Sequence, residues 1–76
     1  MKEKSVELSK AEKRVYDLLV LGFTYPQIAE KIYRSLRAVK FQTYSIYKKL
    51  GVKTKGELIV CHYIGKEEFE RRRSEA

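Results

Sequence analysis

The sequence predicts an all-α domain of four helices, and three observations support this fold class. Ser or Thr is followed three residues later by Glu or Gln at each of three predicted helix starts. Such pairs satisfy backbone N–H groups that are otherwise unpaired at a helix N-terminus. Glycines stand near the predicted helix ends, and apolar residues recur at spacings of three and four. The agreement of caps, ends and periodicity predicts the four helices.

The first two helices are short and amphipathic. Ser9 with Glu12 predicts the start of the first helix, and Gly22 its end. Thr24 with Gln27 predicts the start of the second helix, which we expect to end near residue 33. The residues expected on the buried sides are Ala11, Val15, Leu18 and Leu19 in the first helix and Ile28, Ala29 and Ile32 in the second.

The third helix is the longest, from a Ser35 N-cap to Gly51. Its connection to the second helix takes about three residues, as in a helix-turn-helix. One stripe of this helix is expected to face the core, and basic and aromatic residues lie roughly 150° away from it. The stripe consists of Leu36, Val39, Thr43, Ile46 and Leu50, and the opposite arc of Arg37, Phe41, Tyr44 and Lys48, with Lys40 on its border.

Positive charge is concentrated on this third helix and its flanks. The chain carries a net charge of +7, yet no acidic residue stands between Glu30 and Glu57. A concentrated basic segment is typical of proteins that bind a polyanion, whereas a merely solvated face usually mixes charge signs. Basic residues interleaved with aromatic ones suit the DNA major groove. The interval contains Lys31, Arg34, Arg37, Lys40, Lys48, Lys49, Lys53 and Lys55.

The fourth helix begins at a third capping pair, Thr54 with Glu57, and is apolar almost all the way round. One face packs on the core, and the other is left as an exposed patch that marks an interface. We therefore predict a homodimer. Residues 1–7 are expected to form a flexible arm, 8–65 the domain, and 66–76 a charged tail, either a short helical extension or disordered. The predicted interface residues are Val60, Cys61, Tyr63 and Ile64.

Several classes of function are excluded. No apolar run reaches the roughly 18 residues of a membrane span, and the N-terminus lacks the apolar core of a signal peptide. A single cysteine indicates a reducing, cytoplasmic location. Cys61 and His62 point about 100° apart on a helix, so they form neither a metal site nor a catalytic pair. We expect no enzymatic activity and no cofactor.

A series of motif residues extends over most of the chain. They are Leu8-Ser9, Glu12, Val15-Tyr16, Gly22-Phe23-Thr24, Ile28-Ala29, Ser35, Val39-Lys40 and Lys49-Leu50-Gly51-Val52. In these residues and in their spacing, the sequence resembles the LuxR/GerE-type DNA-binding domain of bacterial transcription regulators.

The resemblance implies major-groove binding by the third helix, dimerisation through the fourth, and base contacts from Lys40, Phe41 and Tyr44. The sequence departs from the family pattern at Arg34, Ala38 and Gln42, where an aliphatic residue, Thr and His are usual. The resemblance and the basic-aromatic side of the third helix together predict base contacts from Arg37, Lys40, Phe41 and Tyr44. The predicted DNA-backbone contacts are Thr24, Tyr25, Arg34, Ser35, Lys48 and Lys49.

Most members of that family carry a further receiver or ligand-binding domain, whereas these 76 residues contain only the DNA-binding domain. We therefore expect a stand-alone, GerE-like member controlled by its abundance or by a partner. The leading hypothesis is a homodimeric regulator that binds double-stranded DNA, associated with the nucleoid when bound. An alternative is a protein-interaction module that binds and inhibits another regulator or RNA polymerase. A fragment resembling region 4 of a sigma factor is disfavoured by the Lys49–Val52 ending and the fourth helix.

Overall fold

The computed structural model describes residues 7–75, and the arm expected over residues 1–7 lies, apart from Glu7, outside them. The described chain is all-helical, as predicted, but contains five helices rather than four. None of these helices is long and apolar enough to cross a membrane. They are α1 (Lys10–Val20), α2 (Tyr25–Ile32), α3 (Leu36–Leu50), α4 (Lys55–Ile64) and α5 (Lys66–Glu75).

The predicted caps set the starts of the first three helices. Ser9 Oγ accepts from the Glu12 backbone N–H at 3.1 Å, and Glu12 Oε1 accepts from the Ser9 N–H at 2.9 Å. Thr24 and Gln27 form the same reciprocal pair, at 3.3 and 2.8 Å. Ser35 caps α3 through its hydroxyl alone. These bonds satisfy orphan N–H groups at each helix start, which fixes the helix boundaries where the sequence predicted them.

The cap of α4 departs from the predicted reciprocal pair. Thr54 Oγ1 accepts from the Glu57 N–H at 3.1 Å, as expected. The Glu57 carboxylate instead accepts from the backbone N–H of Lys53, at 2.8 Å. The Glu57 carboxylate therefore fixes the backbone of Lys53, one residue before the Thr54 N-cap, instead of the backbone of the N-cap itself.

The core forms where α3 crosses α1 and α2. Val39, Thr43 and Ile46 of the predicted stripe are buried. Leu36 and Ala11 were expected on buried sides but are exposed, because each lies in the first turn of its helix, at the edge of the core. The buried apolar residues are Val15, Leu19, Ile28, Ala29, Val39, Ile46, Val52, Leu58, Cys61 and Phe69.

The charged tail forms the fifth helix, α5, which packs against α4. Its single buried residue is Phe69. The guanidinium of Arg73 donates to the Gly51 carbonyl at 2.6 Å and lies over the Phe69 ring, with 5.3 Å to the centroid. Glu68 forms ion pairs with Arg71 and Arg72 one turn later. Thus one aromatic side chain and one cation dock a helix that is otherwise polar.

The turn between α2 and α3 depends on an unusual backbone conformation. Tyr33 adopts the left-handed region with φ of 55° and is almost fully exposed. Its conformation ends α2 and brings the Arg34 N–H within 3.0 Å of the Ala29 carbonyl. The chain then enters α3 at Ser35, and the two helices are joined by the short connection that the sequence predicted.

Candidate nucleic-acid interface

Five side chains on one side of α3 form what we term the basic-aromatic face. Arg37, Lys40, Phe41, Tyr44 and Lys48 are all exposed. Phe41 is 70% and Tyr44 62% exposed, although large aromatic rings gain most from burial. Lys48 Nζ lies 5.6 Å from the centroid of the Tyr44 ring, within cation–π distance. The structure therefore brings together the base-contacting candidates predicted from the sequence.

The positive charge of this face has no acidic partner in the part of the chain that the structure describes. Within residues 7–75, no carboxylate lies in salt-bridge distance of Arg37, Lys40 or Lys48. Elsewhere in the described chain, some basic side chains on α1 and α5 do have acidic partners, such as Lys13 with Asp17 and Lys66 with Glu70. An exposed face of one sign attracts a polyanion over distances comparable to the Debye length, roughly 10 Å.

The predicted backbone-contacting residues lie at the ends of this face. Arg34 and Ser35 precede the first turn of α3, and both are exposed. Tyr25, at the start of α2, is half-buried, and its hydroxyl lies 3.4 Å from that of Tyr47 on α3. The neighbouring Thr24 is exposed at the N-terminus of α2. A helix N-terminus presents free N–H groups and a positive dipole end, which favours phosphate groups.

Lys49 is the exception among these candidates. Its ammonium lies 2.7 Å from Glu12 Oε1, on the side of α3 that faces α1. Glu12 Oε2 also accepts from the Ser45 hydroxyl at 2.5 Å. The bonds from Lys49, Ser45 and the Ser9 N–H lower the pKa of the Glu12 carboxyl to about 2, so it is ionised at neutral pH. We therefore withdraw Lys49 from the DNA-backbone contacts, since its charge is already neutralised within the fold.

Sequence reasoning missed this second role of Glu12. The capping pattern accounted for only one of its two carboxylate oxygens. A carboxylate can accept several hydrogen bonds, and an acidic residue at a helix start beside a basic helix is the signal that was available.

Three of the four residues predicted for a dimer surface on α4 are at least partly exposed. Val60 is 46% and Tyr63 72% exposed, and Ile64 is half-buried. Cys61 is only 7% exposed and belongs to the core, so its assignment to a partner surface is corrected. The same burial raises the pKa of its thiol. Residues 58–64 are almost uniformly apolar, so their sequence pattern could not distinguish core-facing from exposed positions of α4.

Two further side chains adjoin this surface. The Tyr16 hydroxyl and His62 Nδ1 share a 2.7 Å hydrogen bond, and the His62 ring meets Tyr63 edge-on, with 5.1 Å between centroids. His62 and Cys61 therefore point to different surroundings, one to α1 at the surface and one to the core. Among the residues that the structure describes, no group of three or more His, Cys, Asp or Glu side chains is placed to hold a metal ion.

Comparison with known families agrees with this geometry. Residues 6–62 match the family described as bacterial regulatory proteins, luxR family. The chain belongs to the luxR family. The family match supports a DNA-binding helix-turn-helix domain of the kind found in transcription regulators.

Relatives within the luxR family include the oxygen regulatory protein NreC of Staphylococcus aureus, strains JH9, Mu3 and NCTC 8325. Each is 38% identical to this chain over 52 residues, which cover 68% of this chain and 24% of the relative. The chain thus spans about a quarter of the length of the curated relatives it matches. No solved structure matches it significantly.

Proposed function

We propose that this luxR-family chain binds double-stranded DNA as a homodimer and reads sequence with α3 in the major groove. The observation that carries the proposal is the basic-aromatic face. Phe41 and Tyr44 are exposed among three cations that have no acidic partner within residues 7–75. Exposing two aromatic rings to water is unfavourable in the free protein. A groove lined by phosphates and base edges matches both the charge and the aromatic rings.

Each residue of the face has a chemical counterpart in the groove. Arg37 and Lys40 are donors suited to guanine O6 and N7, and they lie in the N-terminal half of α3. That half approaches the base edges in helix-turn-helix complexes. The rings of Phe41 and Tyr44 suit apolar contact with thymine methyl groups. Discrimination between operators is then divided between two cations and two aromatic rings.

Phosphate contacts would orient this helix on the duplex. We assign them to both helix N-termini and to the cations at the ends of the face. Arg34 is free to reach outward, because its side chain has no acidic partner among residues 7–75. The assigned residues are Thr24, Tyr25, Arg34, Ser35 and Lys48.

The second copy is proposed to pack on α4, through Val60, Tyr63 and Ile64. A two-fold dimer would bind an inverted repeat with half-sites about one helical turn apart. Sedimentation equilibrium of Val60→Asp and Tyr63→Asp tests this assembly. Both variants should be monomeric where the parent chain dimerises, and a monomeric parent chain would contradict the homodimer.

The decisive experiment is selection of bound sequences from a random DNA pool at two salt concentrations. We expect a palindromic motif and an affinity that falls steeply with salt, because each phosphate contact releases counterions. Weak, motif-free binding would instead favour the interaction module, with RNA polymerase or another regulator as its partner. A location in the cytoplasm, at the nucleoid, follows from the DNA-binding proposal.

Alanine substitution within the face tests the base-reading assignment. Lys40→Ala and Tyr44→Ala should each weaken binding to the selected operator by about 1–3 kcal/mol, with a much smaller loss on unrelated DNA. Lys66→Ala is the matched control, because Lys66 is paired with Glu70 on α5 and lies outside the face. Equal losses on operator and unrelated DNA would assign Lys40 and Tyr44 to the phosphate backbone instead.

A further inference from the structure

A cavity of about 240 Å³ opens between α1 and the first half of α3, next to the turn that joins α2 to α3. We term it the α1–α3 cavity. Its apolar floor is formed by Ala11, Ile32 and Ala38, which are at least partly exposed and lie over the fully buried Val15 and Val39. Its rim carries three exposed cations, Lys10, Arg14 and Arg34. An apolar floor with a few convergent polar groups is the usual construction of a small-molecule site.

The charge on the rim has no acidic counterpart in the described part of the chain. Among residues 7–75, no carboxylate lies within salt-bridge distance of Lys10, Arg14 or Arg34. The nearby Glu12 is occupied by Ser45 and by Lys49. Among the described residues that line the cavity, none is acidic. The rim therefore offers donors for an external anion.

Three of the lining residues determine what the cavity can hold. They are Arg34, Ala38 and Gln42. Arg34 adds a cation to the rim, and the small side chain of Ala38 leaves space between the rim and the floor. Gln42 contributes an amide that can donate to, or accept from, a polar group. These residues therefore set the charge, the volume and the hydrogen bonding of the cavity.

We propose that the α1–α3 cavity binds a small carboxylate with an attached aromatic or branched apolar group. The carboxylate would accept charge-assisted hydrogen bonds at the rim, where guanidinium groups match its two oxygens. The apolar group would rest on Ile32 and Ala38. The volume is below the roughly 300–1,000 Å³ of typical ligand sites, which restricts the ligand to a single ring or a short branched chain.

This inference goes beyond DNA binding and is tested without DNA. The full chain is titrated with benzoate, and amide shifts are followed by two-dimensional NMR in a phosphate-free buffer. Benzamide, which has the same ring but no charge, and inorganic phosphate, which has charge but no ring, serve as matched probes. We expect saturable shifts centred on the cavity with benzoate and affinities about tenfold weaker for each of the other two.

Two variants address the ring and the carboxylate separately. Ala38→Leu fills the cavity and should weaken benzoate binding about tenfold, with the fold checked by urea unfolding. Arg14→Gln removes one rim cation and should have a similar effect. Lys13→Gln is the control, since Lys13 stands beside Arg14 on α1 but does not line the cavity. It should leave the affinity for benzoate unchanged.

Three outcomes would overturn the proposal. Benzamide binding as tightly as benzoate would show that the rim plays no part. Phosphate binding as tightly as benzoate would identify a simple anion site with no use for the apolar floor. Equal losses in Arg14→Gln and Lys13→Gln would reduce the effect to general charge attraction.

Discussion

The contact between α1 and α3 differs at its two ends. Towards the C-terminal half of α3, Glu12 is buried and accepts bonds from Ser45 and Lys49, so that end is closed. Towards the N-terminal half, the α1–α3 cavity is open, with cations such as Arg14 and Arg34 at its rim. The Glu12 carboxylate thus makes the difference: where it is present the basic side chain is neutralised and the contact is structural, and where it is absent the cations at the rim keep their charge.

The difference also separates two lysines that are adjacent in sequence. Lys48 belongs to the basic-aromatic face and has no acidic partner among the described residues, whereas Lys49 lies 2.7 Å from Glu12. Neighbours on a helix point about 100° apart, so a run of two lysines supplies one charge to the fold and one to the surface. Charge available to DNA is therefore smaller than a count of basic residues suggests.

The largest effect on the free energy of unfolding is expected at the closed end of the α1–α3 contact, where Glu12 lies. Glu12→Gln removes the counter-charge of Lys49 and weakens the bonds from Ser9 and Ser45. It should lower the free energy of unfolding by about 2–3 kcal/mol, measured by urea denaturation. Asp17→Asn is the control, because Asp17 is an exposed carboxylate on the same helix. Its loss should cost no more than about 0.5 kcal/mol.

The same carboxylate predicts a pH dependence. The pKa of Glu12 falls from 4.5 to about 2 on folding, so its contribution is complete above pH 4.5 and is lost as the pH falls towards 2. Glu68 and Glu70 also have lowered pKa values, through Arg72 and Lys66 respectively, and add to the acid sensitivity. The difference between the parent chain and Glu12→Gln isolates the Glu12 contribution. Parallel stability curves from pH 6 to pH 2 would contradict it.

The sequence predicted what depends on neighbours along the chain. The caps at Ser9, Thr24 and Ser35 and the exposure of Phe41 and Tyr44 follow from spacing within four residues. Such features are set by local backbone geometry and helical periodicity.

Features that depend on contacts distant in sequence were not predictable in this way. The fifth helix docks through Phe69 and a bond from Arg73 to Gly51, 22 residues earlier. The Glu12–Lys49 pair spans 37 residues. A single apolar residue in a charged segment gives no periodicity, so its burial becomes apparent only when α4 and the end of α3 are in place.

A smaller effect of opposite sign is expected at Thr43, the other buried polar side chain near this contact. Its hydroxyl is buried without a hydrogen-bond partner among residues 7–75, whereas every Glu12 oxygen has one. Thr43→Val should raise the free energy of unfolding by about 1 kcal/mol, since the shape is kept and the desolvation cost is removed. Val39→Thr, the reverse change at another buried position of α3, should be destabilising. A loss of stability in Thr43→Val would indicate that the hydroxyl is bonded in solution.

The smallest effect is expected at the open end and has the sign opposite to that of Glu12→Gln. Arg14→Gln removes a cation that has like charges but no carboxylate at the cavity rim. Its stability should match that of the parent chain or exceed it by about 0.3 kcal/mol in low salt. Any gain should vanish near 1 M salt, where the Debye length falls to about 3 Å. A destabilisation comparable to that of Glu12→Gln would mean that the rim cations hold α1 on α3, and the two ends of the contact would then be structurally equivalent.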